Sequence, residues 1–394
     1  MIKVLIYLFP ILINFLSGSM FYVTANRFTE AGAEKVYVSS TSAAWALTYF
    51  IGSLVVGRLV TERRAVPMII AAAFLLSAFS GAFIVFPNVY LQFLWIALVG
   101  AAMAIYCTPF QVFMKRIGGG ASGVVYSTAM YTWSWSFGNA LGPFVFGFLP
   151  SWQSAFAINA AIAFGLALLV IWTNAYLKRH QPTGASDTQP TGADDGGRDL
   201  YAGRPDLAWL GWLGLAFGFT TLCLIRTLQQ DLIITELPGI DPMHPAIMLA
   251  LLSGVQGFFA LSLMRTKTWM YSPWPNLAAG VVGVVSLLMI ARGHSAVTFY
   301  IASTIHGFYT GYYYFMLVFH SLVHPTRSGT YVGINEAVVG VVCIVASAGG
   351  GMVADAVGNR STFAFCALLV AVVTAVQTVV LAVTSRRFAR TSMR

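Results

Sequence analysis

Long stretches of the chain carry no Asp, Glu, Lys or Arg, and their lengths predict the elements. A helix needs about 20 largely apolar residues to cross a bilayer core about 30 Å thick, at about 1.5 Å of rise per residue. Residues 4–26 and 36–57 are two such runs. The run 65–114 holds two helices divided at Pro87-Asn88, and 117–177 holds two more divided around Pro150 and Ser151. After a polar interval the pattern resumes at 207–225, which continues past Arg226. Then come 242–264, 268–291, 293–326, 329–357 (interrupted only by Glu336 and Asp355) and 361–385. The pattern predicts an all-α membrane protein of twelve transmembrane helices, six on each side of the polar interval. The first run reads as a membrane helix. It is too long for a cleaved leader, lacks a small-residue cleavage site and leads directly into further spans.

Composition agrees. Of the 394 residues, 58% are apolar and 9% charged, against roughly 25% charged in a soluble domain. So few charges cannot cover a water-facing surface, which excludes an ordinary cytosolic enzyme, a nucleic-acid-binding domain and a disordered chain. The four cysteines, Cys107, Cys223, Cys343 and Cys366, lie in apolar runs without CxxC or metal-ligand spacing, so neither a disulfide framework nor a zinc site is indicated. No P-loop, HExxH, Ser/His/Asp set or paired carboxylate site is visible. The expectation is therefore not an enzyme, with no cofactor and no metal, driven by an ion or solute gradient or acting passively.

The net charge of +9 matters through its placement. Basic residues accumulate in cytoplasmic loops. With the N-terminus inside, 17 Lys and Arg fall on the cytoplasmic side, four (Arg27, Lys35, Arg292, Arg360) fall outside, and Arg226 is left in the membrane. Both ends are then cytoplasmic, the setting is a bacterial cytoplasmic (inner) membrane, and the basic excess calls for no nucleic-acid partner. A monomer in the lipid bilayer suffices.

The polar interval 178–206 contains the sequence PTGA twice and cannot bury a core, so it reads as a flexible cytoplasmic linker. It divides the chain into an N-terminal six-helix bundle (1–177) and a C-terminal one (207–394) with a short basic tail. A shift of about 206 residues brings Val112-Phe113 onto Val318-Phe319 and Ser122-Gly123 onto Ser328-Gly329. Duplication at this period marks two-fold transporter architectures.

Three segments carry a family resemblance. Between spans two and three lies GRLVTERR, from Gly57 through Thr61, Glu62, Arg63 and Arg64. At the end of span five lies GNALGPFVFG, with Gly138, Gly142, Pro143 and Gly147. After span eleven come Gly349-Gly350-Gly351, Asp355, Gly358 and Arg360. The chain resembles the major facilitator superfamily over nearly its whole length, and the span-five segment resembles the motif of its exporter (antiporter) branch. The resemblance implies two pseudo-symmetric six-helix bundles rocking about a central site. Two departures are plain: the family's usual Asp is Thr61 here, beside Glu62, and its span-four arginine has no counterpart, Ile96 standing four residues before Gly100.

Small residues let membrane helices approach closely, and Pro143 favours a bend. Gly138, Gly142, Pro143 and Gly147 thus serve either close packing alone or a contact that sets alternating access. Gly57, Glu62, Arg63 and Arg64 likewise fit either topological anchoring or cytoplasmic gating.

Charge at the bilayer centre costs roughly 2.5–3.5 kcal/mol on insertion scales, so it normally faces a cavity or a partner. Arg226 is expected either to hold an anionic group on a substrate or to snorkel outward or pair with Asp231. Glu336 is expected to carry a proton, to hold a cationic group, or to make a structural hydrogen bond. His306 reads as a bonded packing residue or a proton relay. Aromatic and polar stripes at helical spacing complete the expected substrate lining: Asn14, Trp45, Tyr49, Tyr131, Trp135, Gln256, Tyr309 and Tyr313, with Arg226 and His306. Trp209, Trp212, Trp269 and Trp274 near helix ends read as interfacial anchors.

The function expected is secondary transport of a small organic solute, by export in exchange for protons. An importer of a sugar or organic acid is the alternative, and a non-transporting receptor or scaffold is a third.

Overall fold

In a computed structural model the described residues of the chain form twelve long helices. The structure describes residues 5–31, 35–118, 120–146, 149, 151–180, 206–229, 231–233, 237, 243–266, 268–324 and 327–391. Among them there is no strand. The helices are α1 (Leu8–Glu30), α2 (Lys35–Leu59), α3 (Glu62–Val85), α4 (Gln92–Gly118), α5 (Gly120–Phe146), α6 (Trp152–His180), α7 (Ala208–Leu224), α8 (Met243–Leu263), α9 (Pro273–Arg292), α10 (Ala296–Val323), α11 (Ser328–Val357) and α12 (Asn359–Thr391). A single π-helical turn, Ile225–Gln229, extends α7.

Local signals set the helix ends. Thr61 caps α3, its Oγ1 accepting from Arg64 N at 3.3 Å, and Ser295 caps α10 in the same way. Pro273 opens α9 at a position whose N–H would be unpaired in any case. Gly358, at φ 86°, ends α11, a backbone conformation that glycine adopts without steric cost.

Eight of the helices (α2, α3, α4, α6, α8, α9, α11 and α12) are long and apolar enough to cross a membrane, and α1 and α7 carry shorter apolar stretches. On α2 a stripe of apolar side chains four residues apart, Leu47, Ile51, Val55 and Leu59, is about half exposed, while Ala46, Tyr49, Ser53 and Val56 are buried. Hydrocarbon is the solvent that suits the first stripe, and backbone polar groups there are satisfied within the helix.

Helix packing repeats on a shift of six. α1 packs on α5 as α7 packs on α11, α2 on α4 as α8 on α10, and α3 on α6 as α9 on α12. The two halves meet along two seams, α2 with α11 and α5 with α8, which are images of each other under the same shift. The fold is thus two pseudo-symmetric six-helix bundles.

The expected linker lies almost wholly outside the described residues. α6 itself runs to His180, beyond the boundary expected at 177, because Lys178, Arg179 and His180 complement the carbonyl end of the helix. One sequence expectation is corrected. Trp269 is not an interfacial anchor: it is 1% exposed, its Nε1 donates to Leu263 O and Thr266 O at 2.7 Å, and its ring packs edge-on against Phe315 and Phe319. Trp274 and Trp209 are exposed, as anchors require.

Candidate functional site

Glu336 sits in the third turn of α11 and is buried on the seam between the halves. Tyr49 of α2 donates its hydroxyl proton to Oε2, and Gln111 Nε2 of α4 donates to Oε1. Gln111 Nε2 also lies 3.4 Å from the hydroxyl of Tyr131 on α5. One acid of the C-terminal half is therefore gripped by side chains of two N-terminal helices, α2 and α4, with Tyr131 of α5 beside the second. Glu336 makes no ion pair among the described residues. An unpaired buried carboxylate is costly, by several kcal/mol even after relaxation, and a proton would remove that charge.

Aromatic rings surround this cluster. Trp45 stacks on Tyr49 with centroids 4.5 Å apart, and Phe21 of α1 meets Trp45 edge-on at 5.2 Å. Across the seam Trp135 of α5 packs against Tyr314 of α10 at 4.8 Å, and Phe219 of α7 meets Tyr314 at 6.2 Å. Among the described residues several buried polar atoms here find no hydrogen-bond partner: Trp45 Nε1, Gln111 Oε1 and Tyr314 Oη. Apolar walls with a few convergent, unsatisfied polar atoms are the common make-up of a small-molecule site.

Arg226 lies in the π turn at the end of α7, half-buried, where one extra residue per turn re-aims the side chain. It acts electrostatically on Tyr314, Cys223 and Cys343. The pair with Asp231 does not form; Asp231 accepts instead from Asn359 Nδ2 at 2.8 Å. Glu336 also acts on Tyr314, so Tyr314 lies within electrostatic reach of both groups.

The structure thus gathers Trp45, Tyr49, Tyr131, Trp135, Arg226 and Glu336 around the seam. Three expected lining residues lie elsewhere. His306, fully buried, places Nε2 3.0 Å from Thr221 Oγ1 and Nδ1 2.7 Å from Ser286 Oγ, inside the C-terminal half. Tyr309 packs over Gly283 of α9, and the Tyr313 hydroxyl donates to Asn276 Oδ1 at 3.2 Å. Asn14 and Gln256 serve as ties: Asn14 Oδ1 accepts from Asn139 Nδ2 at 3.2 Å, and Gln256 Nε2 donates to Ser136 Oγ across the α5–α8 seam at 2.7 Å.

Two residues at the site escaped the sequence reading. Gln111 is an uncharged polar residue between Phe110 and Val112, detectable only as an amide in an apolar run. Tyr314 belongs to the face of Gly307 and Gly311, which pack against Leu252 O and Gln256 O of α8, not to the tyrosine stripe of its own helix.

The Major Facilitator Superfamily pattern matches residues 8–321. The chain belongs to that superfamily. It is an integral membrane protein of a transporter family.

Among solved structures, the human organic anion transporter MFSD10 (TETRAN) superposes with a TM-score of 0.70 at 13% identity, over 96% of this chain and 98% of that one. FucP, a superfamily transporter in the outward conformation, gives 0.60 at 13% identity, over 94% and 98%. A single-site variant of the E. coli fucose:proton symporter FucP gives 0.64 at 14%, over 95% and 97%. No curated protein sequence matches the chain.

The superfamily segments take these positions. A Cβ added to Gly57 would lie 2.8 Å from the Cα of Gly333 on α11. Glu62, Arg63 and Arg64 are exposed in the first turn of α3. Glu62 acts electrostatically on Lys115 at the end of α4. Lys115 Nζ crosses to the other half, donating to His324 O at 3.1 Å and Ser328 Oγ at 2.9 Å. On α5, Gly138 and Gly142 press against the backbone of α1 at Ile11 O and Phe15 O, and the Pro143 ring abuts Gly18. Gly147 lies outside the described residues.

Proposed function

We propose that this superfamily member moves a small organic solute bearing an anionic group, coupled to protons through Glu336, by rocking its two halves about the α2–α11 and α5–α8 seams. Glu336 carries the reading: it is a buried acid that makes no ion pair among the described residues, held by hydrogen bonds from the opposite half. Adding or removing its proton changes what those bonds are worth, and so biases the equilibrium between closed and open seams. Arg226, across Tyr314, supplies the charge for the solute's anionic group. The rings of Trp45, Trp135 and Tyr314 supply apolar contact. The basic ends of α2, α4 and α10 face the cytoplasm on this reading, so the seam closed by Gly57, Gly333 and Lys115 is the cytoplasmic one.

Export by proton antiport is the favoured direction, supported by the tight α1–α5 contact at Gly138, Gly142 and Pro143. Import of an organic acid is the second reading, and the cation at Arg226 favours it. The test is transport in proteoliposomes under an imposed pH gradient. Glu336→Gln should abolish pH-driven flux while the protein remains folded and solute exchange at equal pH persists. Undiminished pH-driven flux in that variant would remove Glu336 from coupling. The sign of solute movement under the gradient decides between the two directions.

A further inference from the structure

The two acceptors that Lys115 reaches across the seam flank the turn between α10 and α11. One is the backbone O of His324, which ends α10, at 3.1 Å; the other is Oγ of Ser328, which opens α11, at 2.9 Å. The imidazole of His324 ties these two ends together. Its Nδ1 accepts from the backbone N–H of Arg327 at 2.9 Å, at the N-cap of α11. Its ring packs on Tyr331, centroids 4.8 Å apart, and the Tyr331 hydroxyl donates to Asp206 Oδ2 at 2.5 Å. Asp206 Oδ1 accepts from Ala208 N at 3.0 Å, which fixes that carboxylate at the start of α7. Among the described residues the charges acting on the imidazole are thus Asp206 before α7, Arg327 at α11 and Lys115 of α4, with the Tyr331 phenol against its ring. An Nδ1 that accepts an N–H carries no proton. Protonation there sets a donor against a donor, releases the Arg327 amide, and places a cation beside Lys115 and Arg327. Partial burial opposes that charge, as do Arg327 and Lys115 against the pull of Asp206, and the imidazole is held below its ordinary range.

We propose that His324 is a titrating positioning residue of the transport cycle: neutral, it holds the acceptors of Lys115 in place and keeps the seam closed at this end; protonated, it lets that end open. The inference rests on the reading above that this end of the seam is cytoplasmic and opens during transport. The imidazolium has a second place to go, toward Asp206, so the turn has two arrangements and not merely a weaker one. The sign follows from the hydrogen bond. The closed seam needs the unprotonated ring, so the stability that His324 gives it is complete above the ordinary histidine pKa of about 6.5 and is progressively lost as the pH falls below that value. Acid on the cytoplasmic side therefore shifts the protein toward its open state through a group separate from Glu336.

The test is a spin-label pair on the cytoplasmic ends of α4 and α11 of the full-length protein in nanodiscs, with distances recorded from about pH 7.5 to about pH 5.5. The open population should rise about 3- to 10-fold on acidification. His324→Asn, whose Oδ1 can still accept the Arg327 N–H but never titrates, should stay closed at both ends of the range. His324→Lys, charged throughout and without an acceptor, should be open at both. The response should persist in a Glu336→Gln background, which separates it from proton coupling. In the wild type itself, deuterium exchange at the first turn of α11, corrected for the intrinsic effect of pH, should quicken over the same range, a measurement that needs no variant to fold. A wild-type distance distribution indifferent to pH, an equal response in His324→Asn, or a response lost in Glu336→Gln would overturn the proposal. If the ends separate with solute but not with acid, this inference fails and the rocking seam stands; if they never separate, both fall.

Discussion

Gly57 of α2 and Gly333 of α11 touch backbone to backbone, so that a methyl group on Gly57 would come within 2.8 Å of the Cα of Gly333. The contact holds one end of the α2–α11 seam shut, and Gly340 against Phe50 and Ala46 extends it toward the middle of the helices. Membrane helices gain no hydrophobic drive from meeting each other, so close packing of this kind carries their association. Gly333→Ala is expected to cost the closed seam about 1–3 kcal/mol by overpacking, a shift of about 5- to 150-fold in population. Spin labels placed at the adjoining ends of α2 and α11 would report longer distances; an unchanged distribution would show that the contact does not control closure.

The hydrogen bonds to Glu336 come from Tyr49 and Gln111. Tyr49→Phe and Gln111→Leu each leave one carboxyl oxygen without its donor. Hydrogen bonds to a charged group contribute about 1.5–3 kcal/mol, so each variant should move the midpoint of the pH–flux profile, with the maximal rate reduced less. A profile identical to wild type in both variants would make these bonds incidental.

Arg226→Ala should raise the KM for an anionic solute by about 10- to 150-fold, the loss of one charge-assisted contact of about 1.5–3 kcal/mol. Arg226→Lys should fall between the two, since an ammonium retains the charge without the planar fork. Equal transport by all three forms would assign Arg226 to the π turn alone.

Both ring nitrogens of His306 are within hydrogen-bond distance of hydroxyls inside one half. His306→Ala should therefore lower stability by about 1–3 kcal/mol and leave the pH dependence of flux untouched. A shifted pH profile in a fully stable variant would restore His306 as a proton relay.

Lys115 joins the end of α4 to the α10–α11 turn. A partly exposed contact of this kind contributes about 1 kcal/mol or less. Lys115→Ala should thus increase labelling of an engineered cysteine at the inner end of the seam only a few-fold, and high salt should mimic the change in the wild type. Labelling that ignores both salt and substitution would leave closure to the glycine contact.

The twelve helices and their pairing into two halves were legible in the chain because lipid imposes a length and an apolarity on every span. Glu336 and Arg226 stood out for the same reason: charge is rare where it is expensive. The neighbours of Glu336 were less legible. Tyr49 was found as part of an aromatic stripe. Gln111 was missed, since a single amide in an apolar helix gives no periodic signal. The tyrosine stripe of α10 misled, because His306, Tyr309 and Tyr313 pack inward on α7 and α9 while Tyr314, one residue on, faces the seam.

Solvent acts on each residue separately, so the pattern of polar and apolar positions by itself determined the long apolar helices and the two-fold plan. Which side chains converge depends on how each helix is rotated about its axis. Contacts between segments hundreds of residues apart decide that, through glycines such as Gly57 and Gly333, and only the tertiary structure brings Glu336 to Tyr49 and Gln111.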